Sequence, residues 1–166
     1  MAKKFTRGLA SLKFGTPTEL ATMPAELTEV GWSKEGTVTI NIGDPEVTPI
    51  KIEEADDPIR KLLGGRDITI VAETYDTSLD SMKRFFGGAV ATATWTPGVT
   101  LAAPDQAVEV TTMADGGKSM KINIPKASIV ASMSGSLSKK DGVTIKYTIT
   151  PLVVVSGTAP WTWVEV

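Results

Sequence analysis

Apolar and polar residues alternate with a period of two in six separate runs of this chain, and no other feature narrows its fold so sharply. In an extended strand, successive side chains leave opposite faces, so such a run marks a strand with one buried side. In "TVTINI", Val38, Ile40 and Ile42 share a face, and in "DITIVAETY" Ile68, Ile70 and Ala72 do. The pattern returns in "AVEVTTM", in "KSMKINI" with Met120, Ile122 and Ile124 in phase, and in "ASIVASM" with Ala127, Ile129, Ala131 and Met133 in phase. It closes with "VTIKYTI", where Val143, Ile145, Tyr147 and Ile149 align. A chain built this way is mainly β.

Turn chemistry sets how these strands meet. Asp115-Gly116 and Asp141-Gly142 fall between runs, and Asp-Gly supplies the positive φ angles of tight hairpins, so the flanking strands are expected to be antiparallel. Pro125 separates "KINI" from "ASIVASM"; its missing amide fits an edge, a bend or a bulge. The rhythm breaks at "TSLDSMKRFFGG". Ser78 can cap a helix, Leu79, Met82 and Phe86 recur at helical spacing, and Gly87-Gly88 stops it. This helix is expected to pack through those three residues, with Asp80 and Arg84 four apart on its polar side. "DDPIRKLL" is read as one further helical turn. The expectation is a single antiparallel β-sandwich or barrel over residues 1–166 with one short flanking helix, a polar N-terminal arm of about residues 1–15 and an apolar C-terminal segment of about 156–166.

Composition removes whole classes of chemistry. With 166 residues the chain is the length of one domain. It has no cysteine and no histidine, which excludes disulfides, thiolate sites, cysteine nucleophiles and the Ser-His-Asp triad. A net charge of -2 with scattered lysines and arginines leaves no basic footprint for nucleic acid. The start "MAKKFTRGLASLKFG" lacks a signal-like apolar stretch, and the longest apolar run, residues 151–155, is far below bilayer length, so no secretion signal and no membrane anchor are expected. "MADGGKS" ends like a phosphate loop but lacks the opening glycine and the following helix, so a hairpin turn is the better reading. Ser136-Leu137-Ser138-Lys139 has S-x-x-K spacing without its partner motifs. Glu53, Glu54, Asp56 and Asp57 are the densest acidic run, without the ligand spacing of a calcium loop. No metal, cofactor or catalytic residue is assigned.

Three features point to contact with other chains. The stretch 43–49, with Asp44 and Glu46, and the acidic stretch 53–58 combine prolines, glycine and charge, so they are read as an exposed loop carrying contacts. Phe85 points off the predicted helix face and needs another partner, such as a neighbouring subunit. The end, "APWTWVEV", puts Trp161 and Trp163 on one face and Val164 and Val166 in the opposite phase. Such a segment needs burial, either in its own core or in a groove on an adjacent subunit, and residues 156–160 form a break that would let it leave its domain.

The polar N-terminal arm, the hairpin around "VTINIGDPEVTPIKIEE" with its long exposed loop, the step "DITIVAETYDTSLDSMKRFFGG" and the final run of strands together resemble the tail tube proteins of long-tailed phages, a family related in fold to the tubes of contractile injection systems. The resemblance implies hexameric rings stacked into a hollow tube through which DNA leaves the capsid. It also implies a virion tail assembled in the host cytoplasm, with the same chain and other tail proteins as partners. An acidic balance suits a conduit that must not hold phosphate. Other readings stay open: a capsid decoration or head-tail connector protein, a carbohydrate-binding module using Trp32 and Trp95, or a hydrolase without recognisable motifs. Trp95, continuing the alternation of "AVATATW", reads better as core.

Overall fold

The computed structural model describes residues 8–53, 55–63, 66–137 and 142–166, with backbone alone for 51–52, 55–59 and 61–63. Twelve strands and one helix follow in order: β1 (Leu9–Gly15), β2 (Thr28–Glu29), β3 (Thr39–Ile42), β4 (Val47–Ile52), β5 (Ala55–Leu63), β6 (Ile68–Thr74), α1 (Leu79–Phe86), β7 (Ala89–Ala91), β8 (Thr94–Thr96), β9 (Gln106–Thr112), β10 (Met120–Ser134), β11 (Thr144–Pro151) and β12 (Thr162–Glu165). The mainly β fold with one short helix is as the alternation predicts. Eight strands form one antiparallel sheet in the order β2-β1-β9-β10-β11-β6-β3, with β12 also on β10.

The sheet curls. Val30 N donates to Leu12 O on one side, while Ser33 bridges Thr74 on the other. Laid flat, the lanes outside β1 and β6 would stand about 29 Å apart at ~4.8 Å per strand. The four residues from Glu29 to Ser33 reach at most about 14 Å. Residues 30–34 therefore act as a strap that draws the two ends of the sheet together into a partly closed barrel.

Alternation places the core as expected in β6, where Ile68, Ile70 and Ala72 are all buried. The runs "KINI" and "ASIVASM" are one fifteen-residue strand, β10. Its pairing with β9 shifts register between Ile124 and Ala127, so Pro125 sits in a bulge that keeps both apolar runs on the inner face. The turn Asp115-Gly116-Gly117-Lys118 joins β9 to β10, with Asp115 N donating to Lys118 O at 2.8 Å and both glycines at positive φ. That is the hairpin expected in place of a phosphate loop. Asp141, Ser138 and Lys139 lie outside the described residues.

Helix α1 begins and ends as its sequence directs: Ser78 Oγ accepts from Ser81 N, and Gly87, at φ +70, donates its amide to Lys83 O. Two of its three expected packing residues do face the core, Phe86 buried and Met82 packed against it, but the buried face reaches further round the helix than expected. Leu79 keeps 36% of its surface exposed, whereas Phe85 is 1% exposed. The Phe85 ring stacks on Tyr147, with centroids 4.4 Å apart, and meets Phe14 edge-on at 5.8 Å. Phe85 therefore finds its partner inside its own chain, not on a neighbour. Arg84, read as polar surface, lies 5.5 Å over the Phe14 ring. Burial lowers its pKa, partly offset by Asp76 and Asp80.

Four further expectations change. Residues 9–15 are not an arm but strand β1, burying Leu12 and Phe14 between β2 and β9; residues 1–7 lie outside the described set. "DDPIRKLL" is not a helical turn but part of strand β5. The stretch 43–58 is not an irregular loop: most of its described residues belong to a hairpin of β4 on β5, which pair with each other and leave their outer edges open. "AVATATW" is not one strand but the hairpin β7–β8, turning at Thr92 and Ala93, both at positive φ.

Candidate assembly surface

The surfaces available for contact follow from what the sheet leaves unpaired. Among the described residues, β3 pairs only with β6 and β12 only with β10, so each has one open edge. Natural edges are usually guarded by lysine, proline or a bulge. Strand β3, "TINI", carries no charge. In β12, "TWVE", the single charge of Glu165 is met by Lys118.

The tail is tied down by pairing. Residues 120–123 of β10 have β9 on one edge and β12 on the other, and Ala127 has β9 on one edge and β11 on the other. So β11 and β12 run along the same edge of β10, in the same direction, interrupted by residues 152–161. Ser119 and Val166 exchange two backbone hydrogen bonds, at 2.8 and 2.9 Å, which fixes the last residue. Trp163 pairs with inward-facing Ile122, so both tryptophans belong to the inner face, as the alternation requires. Trp161 packs against the core, while Trp163 keeps 38% of its surface exposed.

Of the acidic candidates, Asp44 and Glu46 are exposed on the approach to β4, and Glu53 is exposed in the β4–β5 turn. Asp56 and Asp57 lie on β5, with side chains outside the description, and Glu54 lies outside it altogether. Asp56 and Asp57 thus belong to a hairpin separate from the main sheet.

Concavities were also missed in the sequence, among them the following two. A groove of about 800 Å³ lies where the barrel stays open, between the first residues of β1 and the stretch 32–40, with Val110 and Thr112 of β9 behind. A second hollow, about 630 Å³, sits beside α1 and is lined by Tyr75, Leu79, Met82, Trp95, Met133 and Leu137, among residues none of which is charged. Contributions from α1, β8, β10 and the segments that follow β6 and β10 make such a hollow invisible to a linear pattern. Trp32 stands at the rim of the groove, 83% exposed and at φ +35, while Trp95 packs against the core and donates Nε1–H to Gly87 O at 2.8 Å.

The strap that closes the barrel is fastened by one polar cluster. Buried Thr74 donates its hydroxyl to Gly31 O at 2.6 Å and accepts from Asp76 N. Burial alone would raise the Asp76 pKa, but hydrogen bonds from the Ser81 hydroxyl, from Ser78 and from the Gly31 backbone outweigh it and hold the carboxyl below its ordinary value. The carboxylate so joins the strap to the N-terminus of α1, where negative charge is favoured.

No protein-family model matches this chain, and no curated protein matches it.

Proposed function

We propose that this protein is a structural subunit that assembles with copies of itself, as hexameric rings stacked into the tail tube of a long-tailed phage. The observation that carries this reading is the hairpin β4–β5, which among the described residues pairs with no strand of the main sheet. A two-stranded hairpin is marginal alone in water and gains stability when another surface covers it. The unguarded edges of β3 and β12 support the same conclusion, because open edges template pairing with another chain. In this reading the hairpin, with Asp44, Glu46 and the acidic run, makes contacts between rings. DNA passes through the lumen without specific binding, and other tail proteins cap the tube. The particle is assembled in the bacterial cytoplasm and functions in the virion.

Negative-stain images of the purified protein over a concentration series test the reading. Stacked rings or tubes are expected at high concentration. Monodisperse monomers throughout the series would overturn it.

A further inference from the structure

A third concavity, of about 680 Å³, lies between α1 and residues 14–29, and all of its walls belong to the described residues. Five carboxylates line it against two cations, Lys83 and Arg84, an excess of three negative charges. Asp76 is held by Ser81 and Asp105 by Lys126. Glu26, Glu29 and Asp80 enter no ion pair among the described residues. A separate observation asks for a donor. Gln106, 7% exposed, lines the same space; its Nε2 donates to Arg84 O at 2.8 Å, and its Oε1 accepts from no group among the described residues. A carbonyl oxygen so placed is normally met by an N–H. The rings of Pro17, Pro24 and Pro104 add apolar wall.

We infer that this cleft takes residues 3–7, "KKFTR", of a second copy of this chain. Charge selects the occupant. Lys3, Lys4 and Arg7 supply three positive charges with no acid among them, which matches the excess in the cleft, and Phe5 supplies an aromatic ring for the proline walls. Reach makes it the segment of another copy. Gly8 O accepts from Met113 N, beyond the Leu9–Thr112 pair, whereas the cleft begins at Phe14 and Gly15, at the other end of β1. Those ends are roughly 20 Å apart at ~3.3 Å per residue. Phe5, three residues before Gly8, lies within about 11 Å of it, so the chain's own Phe5 cannot enter. A segment at one end and its receptor at the other make a head-to-tail, heterologous contact, which closes a ring or extends a stack according to its rotation. The contact rests on the self-assembly proposed above and gives it a defined segment and cleft.

The test uses the full chain, whose lack of cysteine makes introduced thiols unambiguous. A protein carrying Thr6→Cys and Thr16→Cys, oxidised at a concentration where the wild type self-associates, is expected to give a ladder of covalent multimers. Lys3→Glu with Lys4→Glu, and separately Glu26→Lys with Asp80→Lys, are each expected to weaken self-association at least tenfold by sedimentation equilibrium, with unchanged circular dichroism. Mixing these two proteins is expected to restore it, because the acidic segment of one meets the basic cleft of the other while the remaining segment and cleft are native. A cross-link confined to the single chain, unchanged association in both variants, or no recovery on mixing would overturn the inference. Rings that form normally from the Lys3→Glu, Lys4→Glu protein would overturn it and leave the ring reading intact. The ladder without rings in negative stain would overturn the ring reading alone, and a wild type that stays monomeric at every concentration would overturn both.

Discussion

Strands β11 and β12 lie along one edge of the same strand, β10, yet they live in different environments. Ile145, Tyr147 and Ile149 of β11 are all but inaccessible, while every residue of β12 is exposed. Apolar content does not separate them, since β12 carries a tryptophan and a valine in four residues. What separates them is the second neighbour: β6 covers the far edge of β11, and Phe85 of α1 lies over Tyr147. Nothing among the described residues covers the far edge of β12. Burial in this fold is therefore set by position in the sheet order, and the apolar strand at the open edge is left uncovered by the described residues.

The widest gap should appear in stability. Truncating Phe85 to alanine removes the ring that stacks on Tyr147 and is expected to cost about 3–5 kcal/mol by urea denaturation. Trp163→Ala, although it deletes a larger ring, is expected to cost less, about 2–3 kcal/mol, because more than a third of its surface is already in water. Equal losses at the two sites would break the comparison. Deletion of residues 158–166 sharpens it further: the chain is expected to remain folded, with lower stability, and to lose assembly. Collapse of the fold would place β12 among the core strands after all.

The way each loose segment is fastened gives smaller effects. The Asp76 carboxyl is depressed below its unfolded value of about 3.8. Its contribution is thus fully present above that pH and is lost as pH falls through the lower folded value. Asp76→Asn should be less stable than wild type at neutral pH, and the difference should shrink in acid titrations below about pH 4. A gap that stays constant to the lowest pH would mean that the carboxylate charge plays no part in holding the strap. Smallest is the pair Lys118–Glu165 at the tail: both side chains are well exposed, so Lys118→Ala is expected to cost no more than about 1 kcal/mol, and less at high salt.

How far the sequence anticipated all this depends on where information is stored. Strand β6, the Asp115-Gly116 hairpin and the caps of α1 are written in local patterns, and they appear where those patterns put them. The face of α1 was legible only in part, Phe86 and Met82 but not Phe85, because a two-turn helix offers too few positions to fix its rotation. Leu79 lies in the first turn, at the surface, and Phe85 proved to be the central contact. Thr92-Ala93 turns a hairpin without glycine or asparagine, so nothing in "AVATATW" announced it. Pro58 and the paired aspartates disguised β5, which can hold a proline because it has only one partner strand. The strap, the groove and the hollow are products of topology, and they join residues that no window of sequence contains together.

That topology also has a cost in time. Gly15 faces Ala107 and Leu9 faces Thr112 across the β1–β9 ladder. A ribosome adding about 5–20 residues per second needs on the order of 5–20 s to supply the partner after β1 emerges. During that interval Leu12 and Phe14 have no β9 against which to hide, and every molecule passes through a period in which its first strand is available to the wrong partner. In a cell making this chain at high density, the yield of native subunits is therefore expected to depend on holding chaperones more than on the final stability of the sheet.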